Sequence, residues 1–142
     1  MGTVRAVCLS AEKGTVKRDF GRGELVEQHG LKDDAHSGGG QRQVSLLSLE
    51  KIEAFRARGA EVTYGDFGEN VVAEGIDFAA LPAQTKLRCG EALLQITQIG
   101  KECHHRCEIF HRMGDCIMPR EGVFAIVLKG GMVQTGDAIY VE

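Results

Sequence analysis

Hydrophobic and polar residues alternate in short runs along most of the chain, and glycine-containing turns separate these runs. Alternation with a period of two is typical of β-strands that bury one face, and several runs are rich in β-branched residues. The pattern predicts strands at Thr3–Ser10, Thr15–Asp19, Glu24–His29, Arg42–Leu47, Asn70–Ala73, Thr85–Cys89, Ala92–Ile99, Gly122–Leu128 and Ala138–Val141. Gly130-Gly131 and Thr135-Gly136-Asp137 predict turns between the last strands. The spacing of the strands indicates a mainly β fold whose sheet closes on itself as a barrel.

One segment departs from this alternation and has helical periodicity. Leu49, Ile52 and Phe55 recur at the spacing of one helix face, and Ser48 before them is a plausible N-cap. Gly59 can adopt the left-handed conformation that ends a helix. We therefore expect a helix packed on the barrel directly after the Arg42–Leu47 strand.

Length and composition limit the classes of function. The 142 residues predict a single domain spanning 1–142, and 43% hydrophobic and 26% charged residues are ordinary for a globular protein. The net charge of -3 lacks the basic footprint of a nucleic-acid-binding protein. The first ten residues have no signal-peptide core, and no apolar run has the length of a membrane span. We expect a cytoplasmic location, with neither nucleic acid nor membrane as a partner.

The densest reactive chemistry lies between residues 103 and 116, which hold three of the five cysteines and three of the five histidines. Thiolate and imidazole bind soft and borderline metals, and thiolates carry sulfur. A second short helix from about Cys103 to Met113, ended by Gly114, would place Cys103, Cys107 and His111 on one face. Such a stripe suits a metal ion with an open coordination position. Zinc is one alternative, but a matching second ligand pair is missing.

A different arrangement uses Cys103 alone. At the end of the preceding strand, Cys103 would present a single thiolate at the mouth of the barrel, beside His104, His105 and Arg106. Positive neighbours favour the thiolate form of a cysteine. Cys107 and Cys116 have an alternative role as small core residues.

Two glycine-containing segments are further candidates for ligand binding. In the first, Gly38 to Gly40 expose backbone N–H groups, and Ser37 and Arg42 add donors suited to a phosphate. Asp34 and His36 precede them and suit a cofactor edge or a ring nitrogen. The alternative is a polar hairpin loop without a ligand.

The second segment runs from Gly65 to Asn70. Glu69 and Asn70 together offer acceptors and donors to a heterocycle. The alternative interpretation is a tight turn before a strand, in which Asn70 satisfies backbone groups.

Read in order, these segments resemble the MOSC domain family, named for the C-terminal domain of molybdenum cofactor sulfurase. The similarity rests on the turn Gly30–His36, the strand Arg42–Leu47, the turn Phe67–Asn70, the stretch Gly75–Asp77, the strand Ala92–Thr97 before the cysteine, and Gly136-Asp137. The stretch Gly114–Gly122 resembles small stand-alone bacterial members. Asp33 departs from the family pattern, because a glycine usually occupies its position.

The resemblance implies a β-barrel that binds the molybdenum cofactor, a molybdopterin, and a cysteine that carries sulfur to the molybdenum or ligates it. Cys103 is preferred to Cys107 for this role because it directly follows the strand. Glu69 and Asn70 would then face the pterin edge, and the glycine-rich loop would hold the phosphate.

The same resemblance leaves the enzymatic role open between sulfur transfer and a reductase component. Some relatives use molybdenum to reduce N-hydroxylated substrates with an external electron donor. In either case the resemblance implies a partner enzyme that supplies sulfur or electrons.

Overall fold

The structure is a computed structural model, and it describes residues 2–11, 17–34, 38, 40–100 and 121–142. β-Strands dominate this part of the chain, as the alternating pattern predicts. The elements are β1 Gly2–Leu9, β2 Arg18–Asp19, β3 Arg22–Val26, β4 Gly30–Leu31, β5 Val44–Ser48, α1 Leu49–Arg56, β6 Val71–Glu74, a short 3-10 helix at Phe78–Ala80, β7 Lys86–Cys89, β8 Ala92–Ile99, β9 Val123–Lys129, β10 Gly131–Gln134 and β11 Ala138–Val141.

Seven strands close into a barrel in the order β11-β7-β8-β9-β5-β6-β1. The ring is completed by antiparallel pairing of β1 with β11, where Gly2 lies opposite Ile139 and Thr3 lies opposite Ala138. Closure satisfies the backbone groups that an open sheet would leave at its edges. A separate three-stranded sheet has the order β10-β3-β4, and β2 pairs with the end of β1. The predicted barrel is confirmed.

The pair β5 and β6 is parallel, with Leu46 opposite Val71 and Ser48 opposite Ala73. Parallel neighbours need a crossover connection, because the chain must return to the same end of the sheet before the second strand begins. Here the crossover consists of α1 and the loop that follows it. The parallel pairing places the first residues of β5 and β6 at the same end of the barrel.

Two hydrophobic cores lie on opposite faces of the barrel wall. Alternation along β5 sends Val44 and Leu46 to the inner core and Leu47 to the outer core. In the outer core, Ile52 and Phe55 of α1 are buried against the wall, and burying each contributes roughly 1.5–3 kcal/mol. The helix therefore stays on the barrel through the face that its periodicity predicts.

The two ends of α1 differ in how closely they follow the sequence-based expectations. Gly59 has a φ of +98°, so the predicted left-handed stop is confirmed. Ser48 occupies the N-cap position, but its hydroxyl makes no capping bond. Instead Ser48 Oγ donates to the carbonyl of Ile76 at 2.7 Å and accepts from Phe78 N at 3.2 Å. The predicted cap residue therefore connects β5 to the 3-10 helix.

Several predicted boundaries change. Gly131, predicted as part of a turn, is the first residue of β10, which the alternation did not predict because the strand is short and begins with glycine. The strand β4 at Gly30–Leu31 was also not predicted. Of the predicted strand Thr15–Asp19, residues 18 and 19 form β2. The predicted second helix, Cys103–Met113, lies outside the described residues. In the described ranges, no helix has the length and hydropathy to cross a membrane.

Asp33 follows β4 in the position where a glycine is expected from the family pattern. Its φ is +69°, which is the left-handed region that glycine adopts without strain and other residues adopt at a cost. The backbone of this turn therefore keeps a glycine-like conformation although the residue has changed.

This conformation generates a stability prediction. Asp33→Gly should raise the free energy of unfolding by up to about 1 kcal/mol, because glycine has no Cβ to strain at positive φ. The neighbouring exposed residue is a matched control, and Lys32→Gly should lower stability by about 0.5–1 kcal/mol through the entropy of the unfolded chain. Urea denaturation of both variants measures the difference. Equal losses in the two variants would contradict the prediction.

Candidate functional site

The candidate site lies where the end of β1 meets the beginnings of β5 and β6. The backbone N–H of Cys8 donates to the carbonyl of Asn70 at 2.6 Å, and Asn70 N donates to the carbonyl of Ser45 at 2.9 Å. The parallel pairing of β5 with β6 and the antiparallel pairing of β6 with β1 bring these residues together. Three segments that are distant in sequence therefore share one corner of the barrel.

The side-chain amide of Asn70 joins these segments a second time. Its Oδ1 accepts from Ser45 N at 2.9 Å, and its Nδ2 donates to the carbonyl of Cys8 at 3.0 Å. Nδ2 also donates to Asp34 Oδ2 at 3.2 Å. The amide is 3% exposed, so each of these bonds forms away from competing water. The predicted site residues Asp34 and Asn70 are thus in direct contact.

Asp34 and Lys17 form an ion pair at 2.7 Å, and both side chains are almost completely buried. Asp34 Oδ1 also accepts from the backbone N–H of Ser10 at 3.0 Å. Burial alone would raise the pKa of Asp34, but the hydrogen bonds from Lys17, Ser10 and Asn70 and the charge of Lys17 outweigh it and lower that pKa. The carboxyl group is therefore held as a carboxylate, and its contribution to stability is lost only when the pH falls below the ordinary aspartate range.

Ser10 also contributes its hydroxyl to this corner. The residue is 6% exposed, and Ser10 Oγ has no hydrogen-bond partner within the described part of the chain. Buried hydroxyl groups normally have a partner, because an unpaired one costs about 1–3 kcal/mol. Ser10 follows β1 directly, and the next residue, Ala11, is exposed.

Glu69 shapes the turn that leads into β6. Its Oε2 accepts from Gly65 N at 2.9 Å and its Oε1 accepts from Phe67 N at 3.0 Å. The residue is 0% exposed. Burial raises the pKa of Glu69 to about 7, although the backbone hydrogen bonds oppose this shift; nearby Asp66 adds to it. In this arrangement both carboxyl oxygens hold the turn.

Gly65 lies directly against the segment that carries Lys17. It has a φ of +96°, and a Cβ at this position would lie 2.1 Å from the carbonyl oxygen of Lys17. The carbonyl of Gly65 also accepts from Lys17 N at 3.3 Å. The glycine is therefore needed twice, for its backbone conformation and for the close approach that places Lys17 beside Asp34.

Arg42 lies just before β5 and is exposed. Its Nε donates to Gln98 Oε1 at 3.2 Å, and its guanidinium lies 5.2 Å from the centre of the Phe124 ring. The two terminal nitrogens make no hydrogen bond to any described residue. Five donors in a planar fork suit carboxylates and phosphates, so these nitrogens are available for an anion.

The two cysteines in the described ranges are core residues. Cys8 and Cys89 are free thiols with 0% exposure. Burial, followed by the charge of Asp137, raises the pKa of Cys89 to about 12, and burial likewise raises the pKa of Cys8. A thiol must ionise to act as a nucleophile or a metal ligand, so neither suits that role.

The structure brings together Asp34, Asn70 and Glu69 and places Arg42 before the neighbouring strand. The remaining predicted site residues lie outside the described residues; they are His36, Ser37, Cys103, Cys107, His111 and Cys116. Within the described ranges no group of three or more His, Cys, Asp or Glu side chains is placed to hold a metal ion.

Sequence reasoning missed Lys17, Ser10 and Ser45. Each is an ordinary residue in its local sequence, and only the long-range pairing of strands gives it a place in the site.

Comparison with known proteins assigns a family to most of this chain. A family model described as MOSC domain matches residues 33–140. The span contains Asp34, Arg42, Glu69 and Asn70 and the cysteine-rich segment. A search of the curated proteins gives no match.

Solved structures share the fold at low sequence identity. The YuaD protein from Bacillus subtilis superposes with a TM-score of 0.80 at 19% identity, covering 98% of this chain and 94% of that one. YiiM from Geobacillus stearothermophilus gives 0.77 at 18% identity, covering 100% of this chain and 75% of that one. YiiM from Escherichia coli gives 0.65 at 19% identity, with coverage of 99% and 69%. At these identities the likeness supports the architecture alone.

The contact between Gly65 and Lys17 generates a prediction. Gly65→Ala should lower the free energy of unfolding by about 3 kcal/mol or more, because the new Cβ meets a backbone carbonyl and the left-handed φ is strained. Gly68→Ala is the matched control: Gly68 has a φ of +81°, and no described residue beyond its chain neighbours lies within 4 Å of the added Cβ, so only the strain applies, about 1–2 kcal/mol. Chemical denaturation compares the two variants. Similar losses in both would contradict a close packing contact at Gly65.

Glu69 generates a prediction about pH. With its pKa raised from 4.5 to about 7, the folded protein keeps a proton that the unfolded chain has lost, so the Glu69 contribution to stability falls as the pH rises through this window. Glu69→Gln should abolish that slope. The variant keeps one carbonyl oxygen, and the NH2 that replaces the other oxygen cannot accept from the backbone N–H that bonds there. Glu69→Gln should therefore be less stable than wild type by about 1–3 kcal/mol near pH 5, and this difference in stability should narrow by pH 8.

Urea denaturation at a series of pH values tests this expectation. Glu61→Gln, which changes an exposed carboxyl, should keep the wild-type profile. A Glu69→Gln profile with the wild-type slope would show that Glu69 does not titrate in this window.

Proposed function

Because the chain belongs to the MOSC domain family, whose model matches residues 33–140, we propose that it binds the molybdenum cofactor and that a cysteine of residues 101–120 carries sulfur to the molybdenum or ligates it. The main observation in support is that the matched span contains both the buried Asp34–Asn70 contact and the cysteine-rich segment. When bound, the cofactor supplies a molybdenum centre that accepts thiolate and sulfide ligands.

The donor groups around the glycine-rich loop fit an anionic group such as the phosphate of a pterin cofactor. Gly38 and Gly40 both have positive φ values, and apart from their chain neighbours no described residue has an atom within 4 Å of the position that a Cβ would occupy on either. A ligand can therefore approach this backbone closely. Arg42 lies two residues after Gly40 and has its terminal guanidinium nitrogens available. Backbone and guanidinium donors of this kind bind phosphate.

Buried polar residues fix Asp34, which precedes this loop. Asp34 is the last described residue before the segment of His36 and Ser37, and its carboxylate is fixed by Lys17, Ser10 and Asn70. A site holds its ligand with precision when its residues are locked by such supporting contacts. We assign Asp34 and Asn70 to positioning the loop, and Glu69 to positioning Asn70 through the turn before β6. A direct contact of Glu69 or Asn70 with the pterin edge remains part of this proposal.

The cysteine assignment is supported by elimination among the thiols. Cys8 and Cys89 are buried with raised pKa values, so Cys103, Cys107 and Cys116 are the candidates for the reactive thiol. Cys103 is proposed first, because it comes four residues after Ile99, the last residue of β8. The backbone N–H of Gly100 donates to the carbonyl of Gly122 at 2.5 Å. The cysteine-rich segment is therefore entered and left at a fixed point of the barrel.

The decisive measurement is the molybdenum and pterin content of protein purified without oxygen from a host that makes the cofactor. We expect molybdenum and a fluorescent oxidised pterin in equal amounts. Protein that contains zinc or no metal, and no pterin, would overturn the proposed function. Reduction of N-hydroxylated substrates by the loaded protein with an artificial electron donor would reassign it from sulfur carrier to reductase component.

Cys103→Ser tests the residue assignment. Removing the thiolate should abolish molybdenum retention or the transfer of labelled sulfur, because a hydroxyl neither ligates molybdenum as a thiolate does nor carries a persulfide. Cys107→Ser is the matched control and should retain both. Metal analysis and a sulfur-transfer assay measure the effect, and an unchanged unfolding midpoint shows that the fold is intact. Full retention and transfer in Cys103→Ser would remove that cysteine from the proposal.

A further inference from the structure

We propose that the Ser10 hydroxyl is a ligand-binding group of the candidate site, and that it takes an uncharged, hydrogen-bonding edge of the bound molecule. This inference rests on the proposed function, because it assigns one more contact to the same ligand. Ser10 precedes the family-matched span, so neither the sequence motifs nor the family match pointed to it.

The first argument is the unused hydrogen-bonding capacity of this hydroxyl. Every other polar side chain around Ser10 has a partner in the described structure: Lys17 with Asp34, Asp34 with Asn70, and Asn70 with Ser45. Ser10 Oγ alone has no hydrogen-bond partner in the described structure, although the residue is only 6% exposed. A buried hydroxyl without a partner lowers stability, and a ligand that bonds to it recovers that loss on binding.

The second argument is that the position of Ser10 is fixed. Its backbone N–H donates to Asp34 Oδ1 at 3.0 Å, on the same oxygen that Lys17 Nζ contacts at 2.7 Å. The backbone of Ser10 is therefore held by the buried carboxylate of Asp34. Binding does not have to order this residue, so a contact with it is gained at low entropic cost.

The third argument concerns the chemical class of the ligand group. The opposite charges of Lys17 and Asp34 lie 2.7 Å apart, so this described ion pair beside Ser10 has no net charge to attract an ion. A hydroxyl both donates and accepts, and it therefore suits an amide-like or amidine-like edge of a heterocycle. The anionic part of the ligand has a different and better partner in the exposed guanidinium of Arg42. The geometry thus assigns the neutral ring edge to Ser10 and the phosphate to Arg42.

A pair of serine variants separates ligand binding from a structural role. Ser45 is the matched control, because it is also buried, at 5%, but its Oγ donates to the Gly68 carbonyl at 3.0 Å and accepts from Asn70 N at 3.1 Å. Without ligand, Ser10→Ala should keep the wild-type melting temperature or raise it by a few degrees, since it removes an unpaired polar group. Ser45→Ala should lower the melting temperature by about 2–8 °C through lost hydrogen bonds.

Binding is measured with molybdenum cofactor released anaerobically from a purified molybdenum enzyme and followed by pterin fluorescence. Ser10→Ala should raise the dissociation constant by about 2- to 10-fold, the equivalent of one neutral hydrogen bond. The expected signature is therefore weaker binding without loss of stability, which a purely structural serine cannot produce.

Three results would overturn the inference. If Ser10→Ala binds the cofactor as tightly as wild type does, Ser10 does not contact it, while the proposed function stands. A melting temperature that falls as far as in Ser45→Ala would show that Ser10 Oγ has a structural partner. If the wild-type protein itself does not bind the cofactor, the proposed function fails and the Ser10 contact fails with it.

Discussion

The amide of Asn70 is the interaction on which the candidate site depends. It connects three positions that are 25, 36 and 62 residues away in sequence, namely Ser45, Asp34 and Cys8. Each of these contacts replaces a hydrogen bond to water that burial removes, so the amide must satisfy its oxygen and both its hydrogens within the protein. A carboxylate at this position would lack the donors and a leucine would lack the acceptor. The corner of the barrel therefore requires this side chain for chemical reasons as well as steric ones.

The buried Lys17–Asp34 pair follows from the same corner and specifies geometry more than it adds stability. Removing two charges from water costs several kcal/mol per ion, and a well-formed pair recovers about that amount. Breaking the pair is different, because it leaves one buried charge without a partner at a cost of about 3–5 kcal/mol. Asp34 and Lys17 are consequently held together by the free-energy cost of separating them, which fixes the residue that precedes the proposed binding loop.

The sequence predicts the barrel well because its signals are local. Alternation identifies strands such as β8 and β9, and periodicity with Gly59 identifies α1. The strand β10 was not predicted because Gly130-Gly131 resembles a turn. Only its pairing with β3 makes Gly131–Gln134 extended.

The residues of the candidate site likewise fall into two groups: some can be identified from the local sequence, and others only from long-range contacts. Asp34 and Asn70 lie in recognisable motifs, whereas Lys17 and Ser10 enter the site only through contacts across 17 and 24 residues. Glu69 and Asn70 were predicted as a pair that faces a ligand. That contact with a ligand stays a prediction. The structure adds that both oxygens of Glu69 accept from the backbone of its own turn, which only the three-dimensional arrangement reveals.

The end of β8 links the two chemically distinct parts of the proposed site. The hydroxyl of Thr97 donates to the carbonyl of Gln41, and the side chain of Gln98 accepts from Arg42 Nε. Two residues further on, the backbone of Gly100 is bonded to Gly122, where the cysteine-rich segment begins and ends. Arg42, the proposed anion-binding residue, and the points where the cysteine-rich segment begins and ends are thus fixed to the same strand. Because a β-strand sets distances along its length with little freedom, this attachment fixes the distance between the side chain proposed to bind phosphate and the residues that flank the cysteine-rich segment.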